Sequence, residues 1–199
     1  VHTYPEYYAE FIEEDLGVGV KLFNLATSGD TSDDLLEKLG SDYYRNAVAK
    51  AQVVTVVITA NDLLQCRQGA ERCSEEDVAT AMANYRQILE EILALVSTED
   101  TIIRAQTYDH FYVTHWQEVG VFEERKAMMD HWNEQLVEIA TEYNIPVARV
   151  YQDFNGPNGD QDPGEKGYLA PDRLHPSDEG SRRIAELLRE LGYQPLMED

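Results

Sequence analysis

The residues best suited to chemistry stand near the C-terminus, in the segment PDRLHPSDEG (171–180). Asp172 lies three residues before His175, and Ser177 follows as a helix-capping residue. A neutral histidine acts as a general base when a carboxylate holds its tautomer and stabilises the imidazolium that forms. Asp172 and His175 are therefore candidate members of a catalytic triad. The alternative interpretation of this segment is a surface loop that contains a histidine without a catalytic role.

Two further candidates follow predicted strands. Gly29 stands in NLATSGDTSDDLL (24–36), in a turn before a helix predicted to begin between Thr31 and Asp33. A glycine there lets a backbone N–H approach a ligand, and a helix N-terminus favours negative charge. Asn61 stands in TANDLL (59–64), where its amide suits a developing oxyanion. Each segment also fits an ordinary turn at a strand end.

These candidates need a scaffold of alternating strands and helices. Apolar, β-branched runs predict strands at 20–26, 53–59, 101–107 and 146–152. Apolar stripes at helical spacing, with capping residues, predict helices at 5–16, 74–96, 121–143 and 177–192. The alternation predicts an α/β fold with a parallel sheet and helices on both faces. Ligands bind at the C-terminal ends of the strands in such sheets, where Gly29, Asn61 and His175 are expected.

Taken in order, the three segments resemble blocks of the SGNH (GDSL-type) hydrolase family, and the likeness spans roughly residues 4–196. The resemblance implies a flavodoxin-like, three-layer α/β/α sandwich. It implies that Asp172 and His175 belong to a Ser-His-Asp triad and that Gly29 and Asn61 belong to an oxyanion hole. It implies no metal and no organic cofactor.

Two departures from the family pattern matter. Thr59 stands where the third block usually has glycine. The first block, with its strand and nucleophilic serine, should precede TYPEYYAEFIEE (3–14). We therefore expect residues 1–199 to form one SGNH-like domain that is N-terminally incomplete. The resemblance implies that the missing first strand lies inside the sheet. A chain without it would leave two strand edges with unpaired backbone groups. A nucleophile at Thr31, Ser28 or Ser32 is disfavoured, since that segment matches the second block.

Composition restricts the partners. The net charge of −22 argues against nucleic acid and anionic membrane surfaces, which bind Lys and Arg. No apolar run reaches membrane-spanning length, so membrane insertion is not expected. Cys66 and Cys73 in QCRQGAERC (65–73) predict a short disulfide and an oxidising, extracytoplasmic location, the alternative being two free thiols.

The resemblance to the SGNH family, together with the cysteine pair, predicts a secreted, monomeric esterase or lipase that hydrolyses small-molecule esters, either acyl esters or acetylated sugars. The aromatic segment 108–120 is expected to line an apolar or sugar-stacking cleft. The alternative is a catalytically inactive acyl- or glycan-binding protein on the same fold. An unrelated flavodoxin-like regulator would leave the segments around Asn61 and His175 as coincidences.

Overall fold

The structure is a computed structural model that describes residues 2–67 and 74–197. In chain order its helices and strands are α1 (Tyr4–Leu16), α2 (Ser32–Leu39), α3 (Asp42–Val48), β1 (Val53–Val56), α4 (Ala60–Arg67), α5 (Glu75–Leu93), β2 (Ile102–Gln106), α6 (Val113–Glu118), α7 (Phe122–Glu142), β3 (Val147–Ala148), α8 (Val150–Asn155) and α9 (Asp178–Glu190).

The strands form one small sheet in the order β1-β2-β3. β1 and β2 pair in parallel from Val53 opposite Ile102 to Val56 opposite Ala105. All five residues of β2 are buried, as expected of a strand covered on both faces. The predicted α/β class with a parallel sheet is therefore confirmed.

The chain divides into two compact units. Unit 1 comprises Val1–Leu22, Gln106–Glu134 and Val147–Gly192. Within it α1 packs on α9, and α9 also contacts β3. The Tyr7 hydroxyl donates to Asp178 at 2.7 Å, and the Arg189 guanidinium lies 4.7 Å from the centre of the Phe11 ring. The buried side chains of this unit include Tyr8, Phe11, Ile12, Trp116, Met129, Trp132, Phe154, Ile184 and Leu188.

Unit 2 comprises Phe23–Ala105, Gln135–Pro146 and Tyr193–Asp199. Within it α5 packs against α2 and α4, and α2 contacts α3. Its buried side chains include Leu39, Val56, Leu63, Met82, Tyr85, Ile88, Leu89, Ile92, Ile102, Ile103, Leu136 and Ile139. The prediction of one domain over residues 1–199 stays a prediction.

The helices begin where the capping residues predict. Ser74 and Asp77 form a capping box at the start of α5, and Thr31 with Asp34 forms another at α2. Ser177 caps α9 by accepting the backbone N–H of Gly180 at 3.0 Å. These signals are local, because each cap needs residues only three positions apart.

The predicted strand at 20–26 is wrong, since no strand is found there. The N–H of Val20 donates to the Glu13 carboxylate, and the N–H of Ala26 donates to the Asn24 side chain. Leu22 and Phe23 are exposed. A strand exists only with a hydrogen-bonded neighbour, and none of the described strands pairs with this segment.

The predicted strand at 146–152 is correct only at its start. β3 ends at Ala148, and α8 begins at Val150 with the N–H of Asp153 bonded to the carbonyl of Arg149. Tyr151 and Phe154 are both buried at helical spacing. Burial of that face therefore outweighs the β propensity of the valine and tyrosine residues.

Candidate active site

Asp172 and His175 form a direct pair within unit 1. The Asp172 Oδ2 atom lies 2.8 Å from His175 Nδ1. Asp172 Oδ1 accepts the backbone N–H groups of Leu174 and His175, each at 3.0 Å. With Nδ1 as the donor, Nε2 carries the lone pair that a general base needs. Among the described residues, the ring of His175 is hydrogen-bonded through Nδ1.

The loop that carries the pair, residues 168–177, folds as a tight hairpin. Leu169 and Pro176 form an antiparallel bridge, and the N–H of Ala170 donates to the carbonyl of His175 at 2.8 Å. Ser177 closes the loop, with its N–H donating to the carbonyl of Tyr168 at 2.8 Å. Since Ser177 is also the N-cap of α9, the helix start fixes one end of the 168–177 loop.

The local contacts keep Asp172 ionised. The hydrogen bond from the His175 ring, followed by the backbone bonds from Leu174 and His175, lowers the pKa of Asp172 to about 2. The side chains are 66% exposed for His175 and 52% exposed for Asp172. A carboxylate that is charged at neutral pH and bonded to Nδ1 can orient the imidazole and stabilise its protonated form.

In unit 2 the structure places Asn61 beside the Gly29 turn. The Asn61 side-chain amide, at the start of α4, donates to the carbonyl of Asp30 at 2.8 Å. The amide has two N–H donors, and this bond uses one of them. Gly29 has φ +92°, and a Cβ there would meet no atom within 4 Å. The left-handed backbone, rather than lack of space, is therefore what requires glycine.

The turn before α2 is held from both sides. Lys38 forms an ion pair with Asp30 and donates to Thr27 Oγ1 at 2.8 Å.

Thr59, which replaces the family glycine, is fully buried and has φ +89°. Positive φ is unusual for a β-branched residue and costs about 1–3 kcal/mol. This departure from the family pattern thus leaves the glycine-like backbone in place beside Asn61.

Asp62 is a site-supporting residue that sequence reasoning missed. Its carboxylate accepts the Ser32 N–H at 3.0 Å and the Ser32 hydroxyl at 2.6 Å. The Asn84 amide donates to the same hydroxyl at 3.0 Å and to Asp33 at 2.8 Å. These bonds join α2, α4 and α5 next to Asn61. The Asn-Asp pair in TANDLL is the signal, but by itself it indicates only the end of a strand.

Two of the three alternative nucleophiles in the second block have structural roles. The Thr31 hydroxyl donates to Asp34 and caps α2. Ser32 is fully buried and bonded to Asp62. Ser28 is exposed in the turn that contains Gly29. The capping and burial of Thr31 and Ser32 argue against a nucleophilic role for either.

Several aromatic side chains of the segment 108–120 belong to the core. Tyr108, Phe111 and Trp116 are buried, and the ring of His110 lies 3.9 Å from that of Trp116, centre to centre. The expected cleft lining is therefore reduced to exposed side chains such as Tyr112.

The predicted Cys66–Cys73 pairing lies outside the described residues, because Cys73 is not among them.

The described part of the chain has neither a membrane-crossing helix nor a metal-binding cluster. No helix between residues 2–67 or 74–197 combines the length and apolar character needed to cross a bilayer. Within the same ranges, no group of three or more His, Cys, Asp or Glu side chains is arranged to hold a metal ion.

The fold places the protein in the α/β class with a parallel sheet, and comparison with known proteins shows its family. Residues 1–183 match the profile of the GDSL-like Lipase/Acylhydrolase family. The chain therefore belongs to this family and is a GDSL-type carboxylic ester hydrolase, and the resemblance seen in the sequence is confirmed.

The similar proteins are named as lipases and esterases. The spore germination lipase LipC of Bacillus licheniformis is 30% identical over 194 residues, which cover 94% of this chain and 84% of LipC. The crystal structure of the lipase Lip_vut3 from a goat rumen metagenome superposes with a TM-score of 0.81 at 26% identity, covering 99% of this chain and 90% of that one.

An acetylxylan esterase, Axe2 of Geobacillus stearothermophilus, shares the fold. It superposes with a TM-score of 0.70 at 22% identity, covering 100% of this chain and 84% of Axe2. The α/β fold is therefore the same in proteins that are named for different esters.

Proposed function

We propose that this protein hydrolyses carboxylic esters with His175 as the general base and Asp172 as the residue that orients it. The observation that carries the proposal is the 2.8 Å hydrogen bond between Asp172 Oδ2 and His175 Nδ1. It leaves Nε2 to take the proton of a serine hydroxyl and to return it to the leaving alcohol. The charge on Asp172 would stabilise the imidazolium between those two transfers.

We further propose that Gly29 and Asn61 supply N–H donors to the oxyanion. The support is local: the Asn61 amide is anchored to the turn that holds Gly29. An anchored donor loses little freedom when negative charge develops, so it stabilises a transition state better than a mobile one. The Asp62–Ser32–Asn84 bonds support the same helix starts.

The proposed reaction has two steps, formation of an acyl-enzyme and its hydrolysis. The serine oxygen bonds to the ester carbonyl carbon while His175 takes the serine proton, and the tetrahedral intermediate collapses as His175 protonates the leaving alcohol. Water then attacks the acyl-enzyme, His175 takes one water proton, and the carboxylic acid leaves as the serine recovers its proton. No metal or organic cofactor takes part in these steps.

For the substrate we propose an acyl ester of the lipase type. Both LipC, at 30% identity, and Lip_vut3, at 26%, are named as lipases. The acetylxylan esterase Axe2 is 22% identical and indicates the fold alone. A series of p-nitrophenyl esters from acetate to decanoate tests this proposal: rising kcat/KM with chain length supports it, and a maximum at acetate contradicts it.

The decisive test of the reaction uses His175→Ala in the full natural protein. Loss of ester turnover and of labelling by a fluorophosphonate, with unchanged thermal unfolding, is the expected result. His131→Ala is a matched control, because His131 is an exposed histidine on α7 outside the 168–177 loop. Turnover retained in His175→Ala would contradict the assignment. A folded wild-type protein with neither turnover nor labelling would favour the acyl- or glycan-binding alternative.

We also propose that the protein is exported and that Cys66 and Cys73 form a disulfide in the oxidising environment outside the cytoplasm. The support is their spacing in one short polar segment. Intact mass after alkylation, with and without prior reduction, tests the pairing. Two alkyl groups added without reduction would contradict it.

A further inference from the structure

Asp162 is a buried carboxylate next to the 168–177 loop. Its side chain is only 3% exposed, and it accepts three hydrogen bonds. The donors are the Thr114 hydroxyl, the Gly164 N–H at 2.7 Å, and Arg173 Nη2 at 3.0 Å. A buried charge with this many donors is fixed in position, because moving it would leave the charge unpaired.

Arg173 connects this carboxylate to the candidate catalytic pair, since it is the residue directly after Asp172. Its φ of +55° lies in the left-handed region, and its N–H donates to the carbonyl of Ala170 at 2.8 Å. An L-residue with a side chain adopts that conformation at a cost. The ion pair with Asp162 helps to hold the turn that aims the Asp172 side chain at the imidazole.

Gly164 shows how closely the ion pair is packed. A Cβ on Gly164 would lie 2.9 Å from Asp162 Oδ1 and 3.1 Å from Arg173 Nη2. Since φ at Gly164 is not positive, space rather than backbone freedom is the reason for this glycine. A methyl group there would therefore force the Asp162 carboxylate or the exposed Arg173 guanidinium to shift.

We propose that Asp162 and Arg173 are positioning residues that hold the Asp172–His175 pair in its catalytic geometry. The proposal rests on the ester hydrolysis proposed above. Asp162 also bonds Thr114 of α6, so the anchor extends from α6 to the 168–177 loop. A displacement of about 1 Å at a reacting group can lower turnover by roughly 100-fold, which makes such an anchor worth retaining.

The test is Arg173→Asn. Asparagine tolerates positive φ, so this variant removes the ion pair while favouring the same backbone conformation. Arg173→Lys keeps the charge, and Asp162→Asn removes the buried charge from the other side. Arg182→Gln is the control, because it breaks an ion pair in the same unit whose carboxylate partner, Glu186, is not buried, unlike Asp162.

Two readouts separate positioning from general stability. We expect kcat of Arg173→Asn to fall about 10- to 100-fold with KM changed less than about threefold, and Arg173→Lys to recover part of kcat. The second readout is the NMR signal of the His175 Nδ1 proton, which should broaden or move upfield in Arg173→Asn and Asp162→Asn. Arg182→Gln should change neither quantity.

The combination of turnover and NMR results separates failure of the positioning role from failure of the proposed hydrolytic function. If wild type turns over, His175→Ala does not, and both Arg173→Asn and Asp162→Asn match wild type in kcat and in the NMR signal, the positioning role is overturned. If wild type does not turn over but the His175 signal shifts in both variants, the anchoring of the pair stands and the hydrolytic function fails. If Arg173→Asn does not fold, Asp162→Asn decides by the same two readouts.

Discussion

The substitution Gly180→Ala distinguishes tertiary contacts from helix propensity. Gly180 lies in the first turn of α9, and its N–H donates to the Ser177 side chain. A Cβ at this position would lie 3.0 Å from the carbonyl carbon and 3.2 Å from the Cα of Tyr168, and nearer still to the carbonyl oxygen. That same oxygen accepts the Ser177 N–H that closes the 168–177 loop.

The expected magnitude follows from these contacts. Ordinary contacts of a methyl carbon are about 3.5–4.0 Å, and the carbonyl oxygen is the nearest atom, so the Tyr168 backbone must retreat by about 1 Å or more. Overpacking against backbone costs about 1–3 kcal/mol, and weakening the Ser177–Tyr168 hydrogen bond costs about 0.5–1.5 kcal/mol. Alanine has a helix propensity about 1 kcal/mol better than glycine. The net expectation is a loss of about 0.5–3.5 kcal/mol in the free energy of unfolding.

Thermal unfolding and ester turnover measure this effect together. For a chain of this size the melting temperature should fall by about 1–14 °C, and kcat by up to about 100-fold through displacement of the loop. Gly19→Ala is the matched control, because a Cβ on Gly19 meets nothing within 4 Å and its φ is not positive. A melting temperature of Gly180→Ala equal to or above that of wild type would refute the reasoning.

Three further predictions concern residues proposed to take part in the reaction or to support those that do. The carboxyl carbon NMR signal of Asp172 should titrate with a midpoint near pH 2, and in His175→Ala the midpoint should rise towards the ordinary value of 3.8. Because the folded pKa is lowered, the stabilisation from this contact is present above about pH 3.8 and is lost as pH falls through 2. An unchanged midpoint in the variant would contradict the pairing. Asn61→Ala should lower kcat about 100- to 1,000-fold with little change in KM, measured by ester hydrolysis, and a full rate would exclude an oxyanion role. Asp62→Ala should lower the free energy of unfolding by about 1–3 kcal/mol in denaturant titration, because Ser32 loses its acceptor, whereas substitution of the exposed Glu99 by alanine should not.

The Asp172–His175 hydrogen bond was predictable because it is local. Asp172 and His175 are three residues apart, and an aspartate in a turn bonds to backbone N–H groups two and three residues later. The helix starts at Thr31, Ser74 and Ser177 were predictable for the same reason. Each of these features depends on side chains within one turn of chain.

The supporting contacts were not predictable from spacing. Asn61 and Asp30 are 31 residues apart, and Asn84 and Ser32 are 52 apart. The Asp162–Arg173 ion pair spans 11 residues of a Gly-rich loop with many possible paths. The sequence of this loop does not show which of its acidic side chains becomes the buried partner of Arg173.

The sequence by itself determined the fold class, the caps, and the family to which the chain belongs. Those depend on period, on capping residues and on ordered motifs, which survive without coordinates. Only the tertiary structure decided that 20–26 is not a strand and that Tyr151 belongs to a helix. It also decided that Thr59 keeps a glycine-like backbone. The physical reason is that strand pairing, burial and positive φ are set by neighbours distant in the chain, whose contact energies outweigh local propensity.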